Sequence, residues 1–222
     1  MKRQQSGFTL VEIAIVLVII GLLLGGVLKG QELVNSAKVK NFINDFRSTQ
    51  LLIYGYQDKF KAIPGDDANA TTHVGTAGVT LLTPTPGTLG NGRIEGNFNS
   101  VNAADESVAF WQQVRLAGLS TGSTDFTSPA AVLPTNADGG RLGIQSVSPI
   151  TTSGTAMPGA YFVCSDGISG KLAKQIDITM DDGNTETGSV RVTAAGYSGT
   201  ATAAVATTAI VDSTNYIVCV AY

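Results

Sequence analysis

Residues 8–28, FTLVEIAIVLVIIGLLLGGVL, constrain this chain more than any other stretch: they are apolar apart from Thr9 and carry one ionisable group, Glu12. At 1.5 Å per residue such a helix is about 30 Å long, the thickness of a bilayer core. It is too long for the apolar part of an ordinary signal peptide, and no small-x-small cleavage site follows it closely. Nothing else in the 222 residues reads as a second span. Lys2 and Arg3 precede the run, but Lys29, Lys38, Lys40 and Arg47 follow it. The positive-inside count therefore does not favour an inside N-terminus. The large downstream part and its two cysteines favour export, because disulfides persist in oxidising compartments.

Beyond Lys29 the pattern becomes periodic. Val39, Phe42, Ile43, Phe46, Ile53, Tyr56 and Phe60 place one apolar stripe on a helix, with Lys38, Lys40, Asn44, Asp45, Arg47 and Ser48 on the other faces. No proline occurs before Pro64, so the spacing predicts one helix from Phe8 to about Phe60. Its first half needs lipid or neighbouring helices; its second half needs a folded partner along one face. Gly21/Gly25 and Gly26/Gly30 are small-xxx-small pairs, which permit close helix approach or leave the helix locally soft.

Glu12 is the costly residue, at about 2.5–3.5 kcal/mol for a carboxylate within a span. Three readings compete: a solvated interfacial residue, a complement to the helix N-terminus, and an ion pair with a cation from another chain. The helix terminus alone supplies only about 0.3–1 kcal/mol. A cut between Gly7 and Phe8 would create a free ammonium at Phe8, one helical turn from Glu12.

The stretch KRQQSGFTLVEIAIVLVIIG resembles the class III leader of type IV prepilins and type II secretion pseudopilins. Gly7, Phe8 and Glu12 occupy the places of the cleavage glycine, the methylated first residue of the mature chain and the assembly glutamate. Lys2 and Arg3 form the basic leader. The resemblance is close over about Lys2–Phe60 and departs from many type IV pilins in having no proline in the membrane half. It implies an α+β fold. The expected parts are a leader at 1–7, a membrane and assembly half of a stem helix at 8–28 and an amphipathic half at 29–61. The stem would pack on a globular, pilin-like head at 62–222 with an antiparallel β-sheet and a C-terminal disulfide loop.

The head is legible in pieces. KFKAIPGDD ends the stem, since Pro64 cannot continue a helix and Gly65-Asp66-Asp67 is turn chemistry. Residues 68–100 read as irregular. NAADESVAFWQQVRLAGL predicts a helix capped by Asn102 and stopped by Gly118. GAYFVC at 159–164, Ala206–Val211 and Tyr216–Val220 read as strands, with a turn at 212–214. The 171–183 segment fits helical or strand spacing; similar segments in pilin-type heads favour a short helix ending at Gly183. Cys164 and Cys219 sit in two apparent strands and read as one disulfide or as two buried thiols. A disulfide around the C-terminal part of the head is what the resemblance implies.

Catalytic chemistry is not legible. His73, the only histidine, falls in a Thr/Gly/Ala stretch and reads as a solvated loop residue without a partner. GNGRIEG has the wrong glycine spacing for a dinucleotide fingerprint and reads as a turn. No cofactor is implied. The one metal reading is calcium at Asp181 and Asp182 of DDGN, with Asp66-Asp67 a weaker pair; neither has EF-hand spacing, although some pseudopilin heads use calcium. The net charge of −3 gives no nucleic-acid signal.

The expectation is a non-enzymatic subunit of a type IV pilus-like filament. Its expected partners are copies of itself, a prepilin peptidase and methyltransferase, an inner-membrane assembly platform and, before assembly, lipid. The head would be periplasmic before assembly and the filament periplasmic or extracellular. The alternatives are a pseudopilin or minor pilin of the same filament class, and a monomeric exported domain on an uncleaved anchor.

Overall fold

The computed structural model describes residues 10–75, 78–85 and 89–222. The chain divides into two units, residues 1–38 and 39–222. Helix α1, Leu10–Phe60, runs through the boundary without a break in helical structure.

In the first unit every described residue from Leu10 to Val34 is exposed. Among the described residues, an added Cβ at Gly21, Gly25, Gly26 or Gly30 would meet nothing within 4 Å. In the second unit α1 buries Val39, Phe42, Ile43, Phe46, Thr49, Ile53 and Tyr56. Six of these form the predicted stripe. Thr49 joins them because its hydroxyl donates to the Asp45 carbonyl at 2.8 Å, so its polar atom enters the core satisfied. Phe60 is only half-buried. Lys61, at φ 57°, ends the helix by donating its N–H to the Gln57 carbonyl.

The remaining elements are α2 (Ala70–Val74), α3 (Glu106–Leu116), α4 (Pro129–Val132), β1 (Leu142–Gln145), β2 (Ile150–Thr152), β3 (Thr155–Ala156), β4 (Phe162–Ser169), α5 (Gly170–Met180), β5 (Val190–Ala194), β6 (Thr202–Ala203) and β7 (Asn215–Ala221). A short 3₁₀ turn covers Thr207–Ala209. The main sheet has the order β1-β4-β7-β5 with every pairing antiparallel. A smaller sheet, β3-β2-β6, contains one parallel pair, β2 with β6.

The main sheet is buried on both faces, and its alternation shows how. Val163, Val190, Val192, Tyr216, Val218 and Val220 join one core with the α1 stripe, with Phe110, Trp111 and Val114 of α3, and with Leu172 and Ile176 of α5. Phe162, Cys164, Ile217 and Cys219 face the other way, into a second cluster with Phe98, Ile150, Met157 and Tyr197. The long helix, the antiparallel main sheet and the packed head make this an α+β, pilin-like arrangement.

Several local expectations are corrected. Ala206–Val211 is not a strand: Val205 still donates to Val192, but the chain then closes the 3₁₀ turn through Ala209 N–H to the Ala206 carbonyl. The Thr207 hydroxyl accepts from the Thr185 N–H, so side-chain bonds replace a ladder. Asn102 does not cap α3. Its carboxamide oxygen accepts the Ala104 N–H and its amide donates to Asp105, which is the residue preceding the helix. The 159–164 strand begins only at Phe162, and α5 ends at Met180 rather than Gly183. Gly118, at φ 76°, does follow the end of α3.

Candidate functional site

The candidate assembly surface is the first unit of α1. Large apolar side chains lie open on every side of the helix, among them Leu17, Leu22, Leu24 and Leu28, each at least 60% exposed. This length and composition are sufficient to cross a membrane. Glu12 lies in the first turn on the same exposed segment, where the unfilled N–H groups of a helix start favour negative charge. The next charges along the helix, Lys29 and Glu32, pair at 2.7 Å and are both exposed. They mark the point where polar residues resume. Gly7 and Phe8, the expected cleavage and methylation positions, lie outside the described residues.

The other expected site residues fall in the head. Cys164 and Cys219 are directly opposed on β4 and β7, with Cα atoms 4.1 Å apart, and form a disulfide. Both are fully buried in the second core, so the bond fastens two central strands and closes a 55-residue separation. Asp181 and Asp182 follow α5, and the structure adds Asp177 to them: one carboxylate oxygen from each of the three lies within 4.8 Å of the others. The Asn184 N–H and the Thr187 hydroxyl hold Asp182 below the usual carboxylate range.

Asp66 and Asp67 have structural work. Asp66 is buried and accepts N–H bonds from Gly90, Asn91 and Gly92 at 2.5–3.2 Å, clasping the 89–92 turn. Asp67 is buried too, accepting the Tyr56 hydroxyl at 2.7 Å and the Asn69 N–H at 2.9 Å. His73 is the correction here. It lies in α2 with Nδ1 2.7 Å from Asp67 Oδ2, and its ring stacks on Phe60 at 5.2 Å. Burial, with the Asp67 carboxylate, pushes the Tyr56 phenol well above its ordinary value. The network is anchored by Gly65, at φ 92°, whose N–H donates to Gln113 Oε1. A Cβ there would come within 2.5 Å of the Glu106 carbonyl, so only glycine lets the turn after α1 close onto α3. Residues 60–73 thus seal the end of the stem helix against the head.

Residues 2–28 match a family model, the prokaryotic N-terminal methylation motif. The chain carries a prepilin-type N-terminus. The matched segment takes in Gly7, Phe8 and Glu12 and stops at Leu28, the end of the unbroken apolar run. It supports a class III leader of the type IV prepilin and pseudopilin kind. The methylation motif does not extend into residues 29–222. No curated protein and no solved structure matches the chain.

Sequence reasoning found the long apolar helix because a membrane-length apolar run is a local signal. It missed His73 and Asp177, whose partners or burial depend on residues brought in by the fold. The local hint for Asp177 was its place one helical turn before Asp181.

Proposed function

We propose that this chain is a structural subunit of a type IV pilus-like filament. It is made as a membrane-anchored precursor with its head exported, cut after Gly7 by a prepilin peptidase and methylated at the new Phe8 terminus. An inner-membrane assembly platform then moves the apolar helix from lipid into a bundle of like helices. The observation that carries this reading is the coincidence of the methylation motif with a helix that is apolar and exposed at every described residue from Leu10 to Leu28 apart from Glu12, which is exposed but charged.

The physical logic follows from Glu12. The methylated terminus is a secondary amine and keeps its positive charge. A carboxylate in a dry helix bundle is stable only with a partner; stranding one member of a buried pair costs about 3–5 kcal/mol. A neighbour's Phe8 ammonium supplies that partner at one axial offset, which gives the filament its register. Contacts of this head-to-tail kind do not close on themselves and produce helical polymers.

The test uses cells making the wild-type chain, Gly7→Leu and Glu12→Ala. Mass spectrometry of the wild type is expected to find a methylated Phe8 start, and of Gly7→Leu an intact leader. Glu12→Ala is expected to be trimmed normally while sheared filament yield falls at least tenfold. A wild-type chain that keeps Met1, or a normal filament yield from Glu12→Ala, overturns the proposal. The abundance of this chain in sheared fibres assigns it as the main subunit or as a minor one.

A further inference from the structure

Asp177 is an anomaly in the head. It lies in the last turn of α5 and is completely buried. Among the described residues, neither of its carboxylate oxygens has a hydrogen-bond partner. Buried polar atoms are nearly always satisfied, and a buried charge needs a counter-charge. Protonation would remove the charge but would still leave the carboxyl group without a donor among the described residues. Lys174, one turn earlier, is engaged with Asp212 at 2.7 Å. What does stand beside Asp177 is more negative charge, from Asp181 and Asp182. Burial, and then these two neighbours, push the Asp177 carboxyl up to about 7.

We propose that Asp177, Asp181 and Asp182 form a binding site for one divalent cation of calcium size. The donors are all hard oxygens, which suit calcium, magnesium or manganese rather than softer metals. All three oxygens lie within 4.8 Å of one another, which fits donors around an ion bound at 2.3–2.6 Å, and calcium accepts such an irregular set more readily than magnesium, which demands near-ideal octahedral geometry.

The neighbouring groups hold the outer two carboxylates in place. Asp181 Oδ2 accepts the Val190 N–H at 2.9 Å. The backbone at Gly188, φ 71°, passes so close that a Cβ there would collide with the Asp181 carboxylate. Asp182 Oδ1 accepts the Asn184 N–H at 2.8 Å, and Oδ2 accepts the Thr187 hydroxyl at 2.9 Å. Exposure rises from Asp177 through Asp181 to Asp182. An ion therefore enters from the Asp182 side and keeps water in its remaining positions. Bound there, it ties the end of α5 to the start of β5 and orders the loop between them. This inference concerns the head alone and does not depend on the filament reading.

The experiment uses the full chain in detergent, stripped with EDTA and dialysed. Bound calcium is measured by equilibrium dialysis, and thermal unfolding is followed with and without about 5 mM calcium or magnesium chloride. That concentration lies above the roughly 0.1–1 mM range of extracellular calcium modules. One calcium per chain is expected, with a Tm that rises with calcium and rises less with magnesium. Asp177→Asn is expected to weaken calcium binding at least tenfold and to abolish the calcium-dependent rise. Its metal-free Tm should be no lower than that of metal-free wild type, because a buried charge has been removed. A residue needed only for packing would lower that Tm instead. Should Asp177→Asn fail to fold, the exposed Asp182→Asn carries the test, with at least a tenfold loss of affinity expected. Absence of bound calcium in the wild type overturns the proposal, as does undiminished binding in the variant that folds. An equal response to magnesium overturns the assignment of ion size.

Discussion

The two stretches of α1 share one backbone geometry and differ in what their side chains require. From Leu10 to Val34 every residue is exposed, and as far as Leu28 the helix is apolar on all sides apart from Glu12. From Val39 to Tyr56 a single stripe is buried while Lys40, Asn44 and Arg47 face out. A stripe is a surface that one partner can cover, and the head covers it. A helix apolar on every face cannot be covered from one side, so its stability must come from lipid or from several other helices. The difference separates the part of the sequence that specifies the fold from the part that specifies an environment.

The most forceful way to break this contrast is to truncate one large side chain in each stretch. Phe46 is fully buried in the shared core, and Leu22 is 73% exposed. Phe46→Ala is expected to remove about 3–5 kcal/mol of unfolding free energy, the usual loss for a buried aromatic. Leu22→Ala is expected to change it by less than about 0.5 kcal/mol, as at an ordinary surface position. Urea titration of the full chain in micelles, read by the Trp111 signal, measures both. Equal losses would mean that the first stretch is packed within the chain after all.

What the sequence made legible follows the same division. The stripe from Val39 to Tyr56 could be read directly, because helical periodicity is local and the residues that repeat are the ones that bury. The main sheet was partly legible through the apolar runs around Cys164 and Cys219. Ala206–Val211 misled because β-branched composition looks like a strand; Thr207 in fact satisfies its hydroxyl on Thr185, twenty-two residues away. His73 and Asp177 were illegible for a related reason. One is fixed by Asp67 and the ring of Phe60, the other by burial of the inner face of α5, and neither condition is written in the adjacent sequence.

A second test sharpens the comparison by asking how each region treats an acid. Glu12 sits on the exposed apolar segment, whereas Glu106 is fully buried at the start of α3. Burial, together with the negative charge of Glu95 and Asp66, pushes the Glu106 carboxyl up to about 8, although its Oε2 accepts the Glu95 N–H at 2.9 Å. The folded state therefore holds a proton that the unfolded chain releases near its ordinary value. This contribution to stability is full below about 4.5 and is lost as pH rises through about 8. Glu106→Gln keeps the shape without the titration. At pH 8 it is expected to melt about 2–4 °C above wild type, the shift of roughly 1 kcal/mol in a domain of this size, with the gap narrowing towards pH 5. Parallel melting curves across that range would show that the buried acid is ionised and compensated. Such a result would move Glu106 closer in kind to the paired state proposed for Glu12.

The smallest effect is the most selective. Gly25 lies in the exposed stretch with open space around it. Alanine there adds a methyl group that touches nothing among the described residues and favours the helix by about 0.8–1.0 kcal/mol. Unfolding of the head should be unchanged within about 0.5 kcal/mol, because Gly25 is not one of the residues that form the head's core. In a bundle of like helices the same methyl would stand where Gly21 and Gly25 allow backbones to approach, and filament yield should fall. An unchanged head with reduced assembly locates the role of this glycine outside the folded chain. A shift in the head's own unfolding would instead tie the exposed stretch to the core and erase the distinction between the two parts of the helix.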